Sequence, residues 1–212
     1  MKILSFDTLP STQLYLKQLL QQEEKPALPL AVVADLQTEG VGSRNNSWSS
    51  QRGNLFLSFA VKISSLPSDL KLESASIYFS YLLKEVLEEF GSKAYVKWPN
   101  DIYVENDKVA GMITNIVGDT LICGVGLNLV KTRNGFSGLD IVVEKKAILH
   151  AFLKKIEKKY LWKQVFSKYK LNFQTNQNIF AHIHGKKISL SKAVLEDDGS
   201  LNINGERIYS LR

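Results

Sequence analysis

Residues 97–111, KWPNDIYVENDKVAG, limit the possible folds of this chain more than any other stretch. Pro99 fixes its own φ and keeps the preceding residue extended, so the stretch is not the interior of a helix. Its alternation of apolar runs and a polar tip predicts a strand, a tight corner, a strand, a hairpin tip and another strand. This hairpin brings one carboxylate, one amide and two ammonium groups close together. Taken alone, the motif also fits a structured loop with solvated charges.

The length of 212 residues allows one large domain, or one domain and a small one. No apolar run approaches the roughly 20 residues that span a bilayer, and the N-terminus lacks a signal peptide's apolar core. The single cysteine, Cys123, excludes an intramolecular disulfide framework, and no Cys/His cluster has zinc spacing. We therefore expect a cytoplasmic protein with no metal site built from its own side chains. These observations do not exclude the binding of a Mg²⁺ ion that arrives with a nucleotide.

The net charge of +6 is concentrated in residues 144–170, which hold nine lysines and two glutamates. These lysines fall largely on the polar side of a helical pattern. Two interpretations of these lysines remain open. They form a solvated basic face, or they form a surface that attracts an acidic partner or nucleic acid.

Hydrophobic periodicity predicts a chain of mixed strands and helices. Strands are predicted near residues 1–10, 30–34, 54–63, 109–117 and 120–130. Helices are predicted from Ser11-Thr12, from Pro67-Ser68-Asp69, and over 144–159 and 161–172.

The pattern changes after about residue 179 to short runs separated by the hairpin dipeptides Asp198-Gly199 and Asn204-Gly205. These runs predict a small all-β module, most simply an SH3-like barrel, over residues 176–212. Residues 1–175 then form the larger domain.

Glycines and polar residues mark a possible ligand site. Residues 37–53 separate two apolar strands and are typical of a mobile surface loop or a ligand loop. Within this loop, Gly40 and Gly42 let the backbone approach a ligand, and Arg44 offers a guanidinium to a phosphate or carboxylate. Gly124 and Gly126 leave one face of a strand bare, so another backbone or a ligand must lie against it.

Together these features predict one face of a sheet lined by glycines, hydroxyls, amides and cations. Such a face suits a small flat ligand and a phosphate-bearing one. The contributing stretches are Ser11-Thr12, the loop at 40–48, the hairpin at 97–111 and the run Gly124-x-Gly126-x-Asn128.

The order of the motifs, ST…Q…GxG..R…W…KWPND…KVAG…GVGLN, resembles that of the biotin protein ligases over essentially the whole chain. The closing run RIYSLR is similar to the end of that family's C-terminal barrel. The resemblance implies an α+β fold, in which a mixed sheet with helices packed on one face precedes a small C-terminal SH3-like β-barrel. Because its motifs begin near residue 11, the chain resembles monofunctional ligases without an N-terminal DNA-binding domain.

The resemblance implies an ATP-dependent ligase that uses Mg²⁺ with the nucleotide. Biotin and ATP give biotinoyl-5′-AMP and pyrophosphate. The adenylate then acylates one lysine of a biotin carboxyl-carrier protein or domain of acetyl-CoA or pyruvate carboxylase. A monomer or weak homodimer is expected, with no DNA and no membrane partner.

Site roles are carried over from the family motifs. Lys108 is expected to bridge the biotin carboxylate and the α-phosphate, and Asp101 to orient the nucleotide, its metal or the incoming lysine. Trp48, Asn128 and Lys108 are expected to bind ATP or the adenylate, and burial as a core anchor stays open as the alternative for Trp48. The residues expected to bind biotin are Ser11, Thr12, Gln37, Gly40, Gly111, Gly124 and Gly126.

One departure lies in the glycine loop. Many family members read Gly-Arg-Gly-Arg, whereas this chain reads Gly40-Val41-Gly42-Ser43, with Arg44 one place later. We hypothesise that Arg44 substitutes as the catalytic cation that retains the adenylate, and that the loop closes less tightly. Unchanged biotin affinity and adenylate retention in Arg44→Ala would refute this idea.

Two other functions compete with this one. A lipoate–protein ligase or lipoyl transferase shares the fold and the adenylation chemistry, although the KWPND block and paired glycines favour a bicyclic ureido ligand. A non-enzymatic nucleic-acid-binding module would use the lysines of residues 144–170, and it predicts steeply salt-dependent binding.

Overall fold

A seven-stranded sheet forms the centre of the computed structural model, which describes residues 1–43, 46–131, 135–175, 180–183 and 186–209. The strands are β1 (Lys2–Leu9), β2 (Leu30–Gln37), β3 (Leu55–Lys62), β4 (Tyr95–Lys97), β5 (Asp101–Val104), β6 (Asp107–Val117) and β7 (Thr120–Leu127). The helices are α1 (Thr12–Leu20), α2 (Ala75–Glu89), α3 (Lys145–Glu157) and α4 (Trp162–Thr175). The strand order is β1-β2-β3-β7-β6-β5-β4, with β1 and β2 parallel and the other pairs antiparallel. The predicted mixed sheet with helices is thus confirmed.

The helices divide unequally between the two faces of the sheet. The main core buries α2 against one face, and α3 and α4 pack over it. Phe59 of β3 contacts Phe79 of α2 and Phe152 of α3, with ring centroids 5.0 and 6.0 Å apart. On the other face lies α1, because its Leu16 and Leu20 pack on alternate residues of β2. This placement refines the expectation of helices on one face and leaves room beside α1 for a site.

The structure corrects the predicted start of the second helix. A short 3-10 turn at Leu72–Ser74 precedes α2, and Asp69 does not cap it. Asp69 instead accepts hydrogen bonds from the backbone N–H groups of Trp162 (2.8 Å) and Lys163 (3.0 Å) at the start of α4. Its partial burial raises the pKa of this carboxyl, but these bonds outweigh burial and lower it. Asp69 therefore ties α4 to the segment before α2, a contact that no local pattern predicts.

The C-terminal β module is confirmed as two small antiparallel sheets. They contain β8 (Phe180–Ile183) with β9 (Lys186–Ser189), and β10 (Val194–Leu195), β11 (Leu201–Ile203) and β12 (Glu206–Ile208). Both predicted dipeptides lie in turns, and Asn204, Gly199 and Gly205 have positive φ. Residues 210–212 of the closing run lie outside the described part of the chain.

The C-terminal module is bonded to the rest of the molecule through tryptophans. The Trp98 indole donates to the Gly199 carbonyl at 2.8 Å, and the Trp162 indole donates to Asp197 O at 2.8 Å. The Ser74 hydroxyl donates to Asp198 O. The rigid corner at Trp98 is therefore attached to the turn between β10 and β11.

The lysines of α3 and α4 lie on the side of the sheet that carries α2. Among the described residues, three of them form ion pairs with acids of other elements. Lys145 pairs with Asp35, and Lys168 pairs with Glu85. Lys155 pairs with Glu85 and Glu89 at 3.2 and 2.6 Å. Among the described helices, none is long and apolar enough to cross a membrane.

Candidate active site

A cavity of about 210 Å³ opens on the face of the sheet that carries α1. The register explains its floor, since Asp101 of β5 lies opposite Gly111 of β6, and Gly111 lies opposite Gly126 of β7. Cross-strand partners project from the same face of a sheet. The hairpin, the glycines and α1 therefore meet at one place, although they are far apart in sequence.

Most of the predicted site residues line this cavity. They are Ser11, Thr12, Gln37, Trp48, Asp101, Lys108, Gly111, Gly124, Gly126 and Asn128. Gly40 lies just behind the wall, where its carbonyl accepts a 2.7 Å hydrogen bond from the Trp48 N–H. Arg44 lies outside the described residues, so its proposed role stays a prediction.

One end of the cavity, which we call the amide end, is lined by Thr12, Gln13, Gln37 and Ser58, and Asn115 supports it from behind. Gln37 Oε1 accepts from the N–H and the hydroxyl of Thr12 at 2.8 and 3.0 Å. The Thr12 and Ser58 hydroxyls are 2.8 Å apart, and Ser58 donates to Gln13 Oε1 at 3.0 Å. Gln13 Nε2 donates to Asn115 at 3.1 Å. This end is a continuous network of neutral donors and acceptors.

The start of α1 explains why these groups are held in place. Ser11 has extended backbone angles, and its hydroxyl accepts a 3.4 Å hydrogen bond from the Leu14 N–H as a helix N-cap. The cap places Thr12 and Gln13 in the first turn of α1, where both are buried against the sheet.

The other end, which we call the charged end, consists of Asp101, Lys108 and Trp48. Lys108 Nζ lies 2.7 Å from Asp101 Oδ1 and 5.6 Å from the centre of the Trp48 ring. The β5–β6 hairpin produces this pair, with a register shift between Ile102 and Tyr103. As the hairpin prediction requires, a carboxylate and an ammonium group lie side by side.

Trp48 occupies the floor that the glycines leave bare. A Cβ at Gly126 would lie 2.3 Å from Trp48 Cε2, and a Cβ at Gly111 would lie 3.2 Å from Trp48 Cζ3. The glycine floor therefore accepts a flat aromatic group, here one from the protein itself. Trp48 Nε1 is buried and has no hydrogen-bond partner among the described residues.

The sequence pattern missed Gln13 and Ser58. Gln13 covers the second bare position, since a Cβ at Gly124 would lie 2.5 Å from Gln13 Oε1. Ser58 is the one polar residue within the otherwise apolar run LFLSFAV, and this interruption was a signal that could have identified it. Gln13 carried no such signal, because a polar residue in the first turn of a helix is ordinary.

Asn128 and Asn100 hold the walls of the cavity in place. Asn128 lines the cavity and accepts a 3.4 Å hydrogen bond from Asn54, and its N–H donates to the Val109 carbonyl at 2.8 Å. Asn100 donates to the Met112 carbonyl, while its own carbonyl accepts from the Ser80 hydroxyl at 3.2 Å. Asn100 is thus part of the frame, next to Asp101.

The described residues contain no group of three or more His, Cys, Asp or Glu side chains that could hold a metal ion. Asp101 and Asn128 are oxygen ligands on the cavity wall that could contact a cation carried by a nucleotide.

Cys123 is fully buried on the opposite face, and burial raises the pKa of its thiol well above the usual value.

Comparison with known proteins shows similarity in both sequence and fold. A family model described as the biotin/lipoate A/B protein ligase family matches residues 5–128. The bifunctional ligase/repressor BirA of Escherichia coli is 33% identical over 110 residues, which cover 49% of this chain and 34% of that protein. The match therefore spans about a third of that relative's length.

Solved structures match over nearly the whole chain. The crystal structure of biotin acetyl coenzyme A carboxylase synthetase from Helicobacter pylori, with bound biotinylated ATP, has a TM-score of 0.92 and 38% identity. The likeness covers 98% of this chain and 99% of that one. Biotin protein ligase from Aquifex aeolicus, in complex with biotin and ATP, has a TM-score of 0.80 at 24% identity, which supports the fold alone.

Proposed function

Because this chain belongs to the biotin/lipoate A/B protein ligase family, we propose that it is a biotin–protein ligase. It activates biotin with MgATP to biotinoyl-5′-AMP and transfers biotin to one lysine of a biotin carboxyl-carrier protein. The likeness to a synthetase crystallised with bound biotinylated ATP, at 38% identity over 98% of the chain, carries this proposal.

The amide end suits the ureido group of biotin. The ureido group has two N–H donors and one carbonyl acceptor, and the network at Thr12, Gln37 and Ser58 offers hydroxyls and an amide that can exchange partners with it. A dithiolane ring such as that of lipoate would leave these buried polar groups without a partner from the ligand. This difference favours biotin over lipoate.

The charged end suits the activation step. A biotin carboxylate oxygen attacks the α-phosphorus, and the bond to the bridging oxygen breaks with its electron pair leaving on pyrophosphate. Two anions must approach each other, and the Lys108 ammonium lowers that repulsion and stabilises the developing charge. Asp101 holds Lys108 at 2.7 Å and so fixes its position.

The same end serves the transfer step. The amine of the carrier lysine attacks the acyl carbon of the adenylate, an amide forms and AMP leaves. Asp101, which lines the cavity beside Lys108, attracts the incoming ammonium before it loses its proton to solvent. Trp48 and Asn128 then contact the nucleotide, and Gly40 lies behind the biotin.

The proposal also includes the domain organisation, the location and the partner of the protein. Residues 1–175 form the catalytic domain, and residues 176–212 form a module that supports it through Trp98. We propose that the protein is cytoplasmic, is a monomer or weak homodimer, binds no DNA, and modifies the carrier domain of acetyl-CoA or pyruvate carboxylase.

Biotin-dependent ATP–pyrophosphate exchange tests the proposal. The intact protein is expected to exchange with biotin and not with lipoate, and Lys108→Ala is expected to abolish exchange. Exchange with lipoate alone would favour the lipoate ligase. Absence of exchange with either acid, together with salt-dependent DNA binding, would favour the binding module.

A further inference from the structure

The row of cross-strand partners that forms the cavity floor continues beyond the cavity. Lys97 of the edge strand β4 lies opposite Asp101, which lies opposite Gly111, which lies opposite Gly126. Neighbouring strands are about 4.8 Å apart, so Lys97 lies one strand beyond the last cavity residue of this row. Its side chain projects from the same face as that of Asp101.

Lys97 is held by aromatic side chains. Its Nζ donates a 3.3 Å hydrogen bond to the Tyr103 hydroxyl and lies 4.6 Å from the centre of the Tyr103 ring. The Tyr95 ring lies 6.0 Å from the Tyr103 ring, and the Tyr95 hydroxyl donates to the Glu105 carbonyl at 2.8 Å. The ammonium group therefore has a fixed place beside the charged end of the cavity.

The charges around Lys97 do not balance. Asp101 is paired with Lys108, and among the described residues Lys97 forms no salt bridge with a carboxylate. Burial lowers the pKa of Lys97, the charge of Asp101 raises it, and the charges of Lys108 and Lys187 lower it further. Positive charge thus exceeds negative charge next to the pair that carries the chemistry, and an anion at this place would compensate it.

We propose that Lys97 binds the β- and γ-phosphates of ATP and holds the pyrophosphate as it leaves. This inference rests on the proposed function. Lys108 accounts for the carboxylate and the α-phosphate, so the charges that remain are those of the leaving group. Lys97 is the cation of this row, next to Asp101 and its partner Lys108. It is a nucleotide-binding residue of the activation step and takes no part in the transfer of biotin to the carrier.

Lys97→Met tests this role, because methionine keeps an apolar stem against Tyr103 and removes the charge. Exchange is measured with varied ATP and varied pyrophosphate, and biotin binding without nucleotide is measured by calorimetry. We expect the KM for ATP and for pyrophosphate to rise about tenfold, the scale of one charge-assisted hydrogen bond. Biotin affinity is expected to stay within about twofold, and Lys97→Arg is expected to restore most of the pyrophosphate KM.

Lys84→Met is the matched control, since Lys84 also lies over a tyrosine ring, 5.5 Å from the centre of Tyr81, but on a helix of the opposite face. It should leave both KM values unchanged. Unchanged pyrophosphate and ATP KM values in a folded Lys97→Met that binds biotin would overturn the inference and leave the ligase function intact. Weakened biotin binding to the same degree would also overturn it, by indicating a structural role. Absence of exchange in the intact protein would instead refute the proposed function.

Discussion

The amide end and the charged end of the cavity are built in opposite ways. At the amide end, Thr12, Ser58 and Gln13 are held by neutral hydrogen bonds to one another and to Gln37. At the charged end, a single carboxylate faces Lys108, and the Trp48 indole N–H has no partner among the described residues. One end is pre-organised for recognition, whereas the other leaves capacity for groups that arrive with the substrates. We therefore expect substitutions at the amide end to change mainly the affinity for biotin, and substitutions at the charged end to change mainly the reaction rate.

The largest effect is expected from Lys108→Met. The change removes the ammonium but keeps a similar stem against Gly111, so the exchange rate should fall by about 1000-fold, the scale of one lost electrostatic stabiliser. Biotin affinity measured without ATP should change by less than about tenfold, because the amide end is untouched. Lys62→Met, which removes an exposed partner of Asp119, is the control and should keep the wild-type rate. An equal loss in affinity and rate would contradict the separation.

A smaller effect, of the other kind, is expected from Thr12→Val at the amide end. Valine keeps the shape and removes the hydroxyl bonded to Gln37 and Ser58. We expect biotin affinity to fall by about 10- to 100-fold, because buried polar groups lose a partner. The exchange rate at saturating biotin should stay within about threefold. Thr8→Val is the control, since its hydroxyl donates to exposed Asp7. A lost rate at saturating biotin would place part of the chemistry at the amide end.

Acid should destabilise the frame behind the charged end and should leave the hydrogen bonds of the amide end unaffected. Asp198 closes the turn that holds Trp98, with bonds to Ser200 and Arg207. Burial raises the pKa of Asp198, but these bonds prevail and lower it to about 2. A depressed carboxyl pKa stabilises the fold above its unfolded value of 3.8, and this contribution is lost as pH falls towards about 2.

The loss should reach about 2 kcal/mol of unfolding free energy, measured by urea titration between pH 5 and about pH 2. In Asp198→Asn this part of the pH dependence should disappear. The hydrogen bonds of the amide end join uncharged groups and give no such dependence. If the variant kept the wild-type slope, another carboxylate would have to be responsible.

Local signals in the sequence identified the charged end better than the amide end. Proline, alternating residues and a polar tip predicted the hairpin, and the hairpin by itself pairs Asp101 with Lys108. The bare glycine positions were equally visible, because a missing side chain is a property of the sequence. The side chains that cover these positions were not visible in the sequence, since Trp48 comes from a loop and Gln13 from a helix. Their positions depend on how that loop and α1 pack on the sheet, which only tertiary contacts decide.

The two bare positions offer a final matched test of the difference between the ends. A Cβ at Gly124 would meet Gln13, which is pinned by Ser58 and Asn115, whereas a Cβ at Gly126 would meet the indole of Trp48. A pinned neighbour cannot yield without losing hydrogen bonds, so Gly124→Ala should destabilise the fold by about 2–3 kcal/mol. An indole without a hydrogen bond can move, so Gly126→Ala should cost only about 1 kcal/mol and change the tryptophan fluorescence. Chemical denaturation of both variants measures the difference. Equal costs would mean that Trp48 is as firmly held as Gln13, and that the charged end is as pre-organised as the amide end.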